Sequence, residues 1–329
     1  MRLSHQLAPL KVVGNRIVNA RTGIEVILRG VNRSGLEYSS LADPLSSAGI
    51  TEQEISEIVE HWGATVIRLP FNQAWALETP AYDPRHYRGA IEAVVEMAAR
   101  RGAYTILDLQ WLDGRTMRGT VSGQPNYVAP LPNPDSILLW EQLGALWQDE
   151  PAILFDIFNE PHDVLPDDHE PALRIREDRS TFPLWSRSVG KRAWHPWARH
   201  MINAIRRVHQ EALIFVPGTE WAYDLRDYPL SGVAGVVYST HVYPGKRIPW
   251  DMAFGNLAEV APVFVGEWGG GDQDLAWGRQ LLAYMEQRHM GWTAWSWSDH
   301  PRLIESSTKY TPTRFGDLVK TALCPIPQS

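Results

Sequence analysis

The chain has 329 residues, 44% hydrophobic and 21% charged, with a formal net charge of −7, the balance of a soluble globular protein with enough residues for one large core. An acidic chain with no Lys/Arg block argues against nucleic acid as a partner. No apolar run reaches the roughly 18 residues of a membrane span, which argues against a membrane partner. The single cysteine, Cys324, excludes an intrachain disulfide, and Met1 to Leu10 lacks the apolar core of a signal peptide.

Lys11 to Glu25 alternate apolar and polar residues around Gly14-Asn15 and Arg21-Thr22-Gly23, which predicts small β-hairpins. Eight strands follow at Val26–Val31, Thr65–Leu69, Tyr104–Leu109, Ile153–Phe158, Leu213–Pro217, Val236–Tyr243, Val263–Gly266 and Gly291–Trp297. Helical patterns separate most of them. Thr51-x-x-Glu54 reads as a capping box ahead of Ile55, Ile58, Val59 and Trp62. Asp83-Pro84 opens a helix carrying Ile91, Val94, Val95 and Ala98 on one face. Ser136–Trp147, Trp197–His209 and Leu275–Gln287 have the same spacing, and Leu257 with Val260 marks a short helical turn.

Eight strands alternating with helices predict an α/β fold, a (β/α)8 TIM barrel, as one catalytic domain over residues 1–329, with the N-terminal β-hairpin capping its floor. A doubly wound open sheet is the rival. It calls for a glycine-rich phosphate loop after the first strand, and Arg29-Gly30-Val31-Asn32 is not one. The connections Trp111–Pro134 and Asp163–Trp194, after strands 3 and 4, are long enough to be read as cleft walls at the barrel mouth.

Chemistry is expected where the strands end. Ile153–Phe158 runs into Asn159-Glu160-Pro161, and Pro262–Gly266 into Glu267-Trp268-Gly269-Gly270. A strand buried on both faces leaves a charge little place except its ends, so the two glutamates predict a paired-carboxylate site, the minimum for cleaving a glycosidic bond. The other ends carry Asn32, Arg68, Asp108, Gln110, Trp111, Glu220, Trp221, His241, Tyr243, Trp268, Trp295, Trp297 and Asp299. Tryptophan is abundant, 15 in all, and indole faces pack well on pyranose rings. No His-Glu-x-x-His or zinc-spaced Cys/His cluster, calcium loop or Gly-x-Ser-x-Gly elbow occurs, so neither a metal nor a serine nucleophile is expected.

Leu28-Arg29-Gly30-Val31-Asn32, Val66-Ile67-Arg68-Leu69-Pro70, Phe158-Asn159-Glu160-Pro161, His241-Val242-Tyr243, Val265-Gly266-Glu267-Trp268 and Trp295-Ser296-Trp297 resemble, in order and spacing, the cellulase-like retaining β-glycanases of glycoside hydrolase family 5. The resemblance spans Leu28 to Trp297. It implies a (β/α)8 barrel acting on β-linked glycans with no metal or organic cofactor. It also implies roles: Glu160 as general acid/base and Glu267 as nucleophile, with Arg68 pairing to Glu267. Tyr243 would donate to Glu267, His241 would bond within the site, Asn159 would contact the sugar 2-hydroxyl, and Trp295 would stack on the sugar beside the cut. Retention needs the carboxyls about 5–5.5 Å apart, where one of them is driven to keep its proton.

Trp297, two residues on, is a second stacking candidate by strand alternation. Trp111, Trp221 and Trp268 are candidates for flanking subsites, and Asn32 for substrate contact. Gln110 stands where many family members carry histidine. It can hydrogen-bond but not titrate, which suggests a substrate contact and a substrate other than the usual one. The expected activity is that of an endo-β-1,4-glucanase. The alternatives are a β-mannanase, a mixed-linkage or xyloglucan-active enzyme, an exo-acting glycosidase, and a non-catalytic glycan-binding barrel. A polysaccharide partner suggests a secreted or periplasmic monomer; without a signal peptide in Met1 to Leu10, either a leader has been removed or the protein stays inside.

Overall fold

The computed structural model describes residues 7–112, 129–162 and 189–324. Its first strands, β1 (Leu10–Val13) and β2 (Arg16–Asn19), pair antiparallel around Gly14-Asn15. The next eight are β3 (Arg29–Asn32), β4 (Val66–Asn72), β5 (Tyr104–Trp111), β6 (Ile153–Asp156), β7 (Ile214–Pro217), β8 (Val236–Val242), β9 (Val263–Trp268) and β10 (Gly291–Ala294). They pair in parallel in chain order and close into a barrel, with β10 returning to β3 through Trp292 opposite Arg29. Closure rules out the open doubly wound sheet. Every residue of β4, β8 and β9 is buried, as befits strands covered by helices outside and by packed side chains inside.

The hairpin covers the floor, as expected. Asn15 Nδ2 donates to Ala258 O (2.8 Å) and Arg16 to Arg288 O (3.1 Å), carbonyls just ahead of β9 and β10. Most strands differ from the sequence reading by one to three residues at an end. The first barrel strand begins at Arg29 rather than Val26, and the last leaves the sheet after Ala294, short of Trp297.

The helices are α1 (Pro44–Ala48), α2 (Glu52–Ser56), α3 (Gln73–Ala76), α4 (Arg85–Ala99), α5 (Pro134–Leu146), α6 (Val189–Val208), α7 (Leu275–Gln287) and α8 (Arg314–Leu323). Thr51 caps α2 by accepting from Glu54 N, but only half of the predicted capping box forms. The Glu54 side chain instead takes the Arg33 Nε–H at 2.7 Å, and both residues are buried. Asn133 and Ser136 make a complete box at α5. On α4 the expected face of Ile91, Val94, Val95 and Ala98 is fully enclosed. α6 starts earlier than the expected Trp197 and carries Pro196 inside it. α8, capped by Thr313, has no counterpart among the predicted helices, although its buried Phe315, Val319 and Leu323 recur at helical spacing.

Of the two predicted cleft walls, residues 113–128 and 163–188 lie outside the described residues. Among the described residues, no helix is long and apolar enough to cross a membrane.

Candidate active site

Arg68 organises the mouth of the barrel from β4. It is wholly buried, and its guanidinium uses every edge. Nε–H donates to Asp156 Oδ2 (3.0 Å). Nη1 donates to Glu267 Oε1 and to Asn32 Oδ1 (2.9 Å each), and Nη2 to Asn159 Oδ1 (3.0 Å). Nη2 also lies 2.9 Å from Asp108 Oδ1, close enough for an ion pair but outside hydrogen-bond angles. One buried cation therefore faces three buried carboxylates, which leaves a surplus of potential negative charge. Burial works against the arginine's charge, but Asp108, Asp156 and Glu267 together hold its proton more tightly than usual. Burial, with too little cation to share, pushes Asp156 up to about 6 and Asp108 well above the carboxylate range.

The two glutamates meet over this base. Glu267, at the C-terminal end of β9, receives Arg68 on Oε1 and the Tyr243 hydroxyl on Oε2 (2.7 Å). Glu160, four residues beyond β6, presents Oε1 to His241 Nδ1 at 2.9 Å, and the same nitrogen lies 3.6 Å from Glu267 Oε2. One atom from each of Glu160, His241 and Glu267 falls within 4.8 Å of the others. This is the one His/acid cluster among the described residues with cation-holding spacing; a cation there would occupy both carboxylates and the His241 nitrogen that now faces Glu160. Burial raises Glu160 to about 7, moderated by Lys246 and Arg68. Burial also lowers His241 to about 3. The nearby Glu267 carboxylate opposes that shift while Arg68 and Lys246 reinforce it, so the imidazole is neutral at ordinary pH.

Local backbone choices make this convergence possible. The pairing of β8 with β9 slips in register between Thr240 and His241, placing His241 opposite Glu267. Gly266 precedes the glutamate, and a Cβ there would stand 2.5 Å from Ser239 Oγ and 3.0 Å from His241 Nε2. Only glycine lets the two strands approach this closely. Beyond β7, Glu220, Trp221 and Ala222 all have φ near +60° (56°, 61°, 56°), a costly left-handed run for non-glycine residues. The run brings Trp221 N–H to Pro161 O (3.1 Å) and its ring onto His162, with centroids 3.6 Å apart and planes 11° apart. The loop bearing Glu160 is thereby braced from the side.

Arg68, Asn159, Glu160, His241, Tyr243 and Glu267 are brought together. Trp295 stands half-buried just beyond β10, Trp111 lies 5.7 Å from the Tyr38 ring, and Trp221 is half-buried beside the acid loop. Gln110 is half-buried, and its Oε1 has no hydrogen-bond partner among the described residues.

Three predicted substrate residues are corrected. Trp297 is fully buried and packs edge-on against Trp62 (4.7 Å): the strand ends at Ala294, so the alternation linking it to Trp295 does not apply. Trp268 is fully buried between Trp292 and Phe315. Adjacent strand residues point to opposite faces, so a Glu267 facing the mouth sends Trp268 outward into the helices. Asn32 is also fully buried, a strut whose Nδ2 donates to Gly266 O (3.0 Å) while Oδ1 accepts from Arg68. Sequence reasoning missed Asp156, His162 and Lys246. Of these, only His162, next to Asn159-Glu160-Pro161, carried a local signal.

A family model described as cellulase (glycosyl hydrolase family 5) matches residues 21–301. Endoglucanase MaCel5A of Microbulbifer sp. is 25% identical over 309 residues, with 88% of this chain and 51% of that protein aligned. An endoglucanase of Paenibacillus polymyxa is 25% identical, with 86% and 78% aligned, and endoglucanase E-5 of Thermobifida fusca is 23% identical, with 88% and 56% aligned. The chain thus spans about half the length of the first and last of these relatives. Among solved structures, the β-glucanase SdGluc5_26A of Saccharophagus degradans superposes with a TM-score of 0.76 at 23% identity, covering 98% of this chain and 94% of the other, a likeness of fold. The catalytic domain of Thermobifida fusca endoglucanase Cel5A does so with 0.70 at 18% identity, covering 98% and 99%. Since the matched stretch takes in all eight barrel strands and both glutamates, the chain belongs to the cellulase family, glycosyl hydrolase family 5.

Proposed function

We propose that this chain is a single catalytic barrel that hydrolyses β-1,4-linked glucan internally, with retention at the anomeric carbon. The observation that carries this reading is the spacing of the glutamates. Carboxylate oxygens within 4.8 Å leave no room for the water that an inverting enzyme places between acid and base. The unequal surroundings of the two acids support separate roles. Glu160, held near neutrality by burial, donates its proton to the leaving glycosidic oxygen. Glu267, held by Arg68 on one oxygen and by the Tyr243 hydroxyl on the other, is the nucleophile that attacks the anomeric carbon and forms the glycosyl ester. Glu160, now ionised, takes a proton from water, and the resulting hydroxide equivalent cleaves the ester.

Neutral His241 holds Glu160 in register without competing for charge. Arg68 engages the Asn159 carbonyl oxygen, which turns the amide NH2 away from the arginine and makes it available to a sugar 2-hydroxyl. Trp295 offers the stacking face. A β-glucan substrate is supported by the relatives named endoglucanase and by the neighbouring β-glucanase solved with cellotetraose.

The test is a hydrolysis panel of carboxymethyl-cellulose, mixed-linkage glucan, mannan, xylan and xyloglucan with wild type, Glu160→Gln and Glu267→Gln. The reading expects the highest rate on β-1,4-glucan, early shortening of the polymer, and loss of activity in both variants. Preference for mannan would replace the substrate, release of only short products would replace the endo mode, and full activity in Glu267→Gln would remove the mechanism.

A further inference from the structure

Asp156 is a buried acid that the mechanism above does not use. It closes β6 at 1% exposure, and the chain runs on through Ile157-Phe158 to Asn159 and Glu160. Its backbone lies in register between Asp108 of β5 and Phe215 of β7, and the segment beyond it is pinned by Asn159 N–H donating to Leu109 O (3.0 Å). The side chain has one tie. Oδ2 accepts the Nε–H of Arg68 at 3.0 Å, and Oδ1 has no hydrogen-bond partner among the described residues. Taking a carboxylate out of water is costly, so a buried acid with a single hydrogen bond points to that bond as its use.

Nε–H is the part of the fork that decides where the rest faces. The guanidinium is planar and turns as one piece about its Cδ–Nε bond. An acceptor on Nε–H therefore fixes that rotation, and with it the directions of both terminal nitrogens. Nη1 donates to Glu267 Oε1 (2.9 Å) and Nη2 to Asn159 Oδ1 (3.0 Å). The first partner is the nucleophile, and the second is the amide read above as facing the sugar 2-hydroxyl. Asn32 steadies Nη1 from β3, and Asp108 lies beside Nη2 outside hydrogen-bond angles, so it supplies charge without direction. Among the described residues, Asp156 alone hydrogen-bonds to Nε.

We propose that Asp156 is a positioning residue for the first step: through the Nε–H of Arg68 it orients the guanidinium that holds Glu267 for attack and Asn159 toward the sugar 2-hydroxyl. The inference rests on the retaining reading above. What Asp156 supplies is direction more than charge, since an amide carbonyl oxygen accepts from Nε–H as a carboxylate does. Without an acceptor the fork turns, both contacts loosen together, and a misplacement of about 1 Å at reacting groups lowers the rate on the order of 10²-fold.

The experiment measures kcat/KM on dinitrophenyl β-cellobioside, and the inactivation rate with its 2-deoxy-2-fluoro analogue, which lacks the 2-hydroxyl. Wild type, Asp156→Asn, Asp156→Val and Asp156→Ala are compared, with thermal melts to identify folded variants and calorimetry of cellobiose binding. In a folded Val or Ala variant kcat/KM falls roughly 10²-fold while cellobiose binding changes less than about threefold. The loss with the fluoro analogue is smaller, on the order of tenfold, because the share carried by Asn159 is already absent there. Asp156→Asn keeps a carbonyl for Nε–H and recovers the rate to within about threefold of wild type. Wild-type kcat/KM in a folded Val or Ala variant overturns the inference. So does a loss confined to binding, an equal loss with and without the 2-hydroxyl, or an Asn variant as slow as the apolar ones. If neither apolar variant folds, Asp156→Asn decides alone: a rate about tenfold below wild type overturns the inference, and a rate near wild type upholds it. A wild type that the fluoro analogue fails to inactivate, or full activity in Glu267→Gln, overturns the retaining mechanism itself.

Discussion

Replacing Glu160 by glutamine removes a carboxyl that holds its proton more tightly in the folded chain than in the unfolded one. Its ordinary value is 4.5 and burial raises it to about 7. The sign follows directly. Between these values the unfolded chain has released the proton and the native chain has not, so native stability falls as pH rises through this window and stays lowered above it. At 1.36 kcal/mol per unit, the cost of ionising Glu160 above neutral pH is about 3 kcal/mol. The side chain is 18% exposed, so screening removes only part of that. Glutamine does not titrate and retains an oxygen and a donor for His241. The difference in unfolding free energy between variant and wild type should therefore grow in favour of the variant by about 2–3 kcal/mol from about pH 4 to about pH 8. Urea denaturation followed by tryptophan fluorescence across that range measures it. A difference that stays flat with pH, or that moves toward the wild type as pH rises, would refute the assignment of a neutral, buried acid at position 160.

Arg68→Met leaves Asp108, Asp156 and Glu267 without their shared cation. It should cost about 3–5 kcal/mol by urea denaturation, more at high pH than at low, and a wild-type unfolding midpoint would contradict the hub. Trp295→Ala and Trp297→Ala should separate cleanly. The first should weaken oligosaccharide binding in calorimetry with little change in melting temperature. The second should cost about 3–5 kcal/mol of stability from the lost packing against Trp62, with binding retained in the folded fraction.

The barrel was legible because its strands are apolar runs of the right length separated by helical spacing, and the two glutamates because a charge at the end of such a run has few bland explanations. Pairing between distant residues was harder to see. The resemblance implied Glu267 as the partner of Arg68, but in the fold the arginine also pairs with Asp108 and Asp156. Asp156 lies inside the predicted apolar run Ile153–Phe158, where local pattern gives it no role, but in the fold it closes β6 and pairs with Arg68. The tryptophans divide on a rule that was available. Strand alternation sends Trp268 away from the mouth once Glu267 faces it, and the same rule misleads at Trp297 because the strand stops three residues earlier. The left-handed run Glu220–Ala222 has no glycine or asparagine to announce it.

The central claim is that Glu267 forms a covalent bond to the sugar. Incubation with a 2-deoxy-2-fluoro-β-cellobioside bearing a dinitrophenyl leaving group should speed formation of the glycosyl-enzyme relative to its breakdown. Peptide mass mapping should then find one fluorocellobiosyl group, on the peptide carrying Glu267. A label on Glu160, or no label from an active enzyme whose product appears with inverted anomeric configuration, would contradict the account.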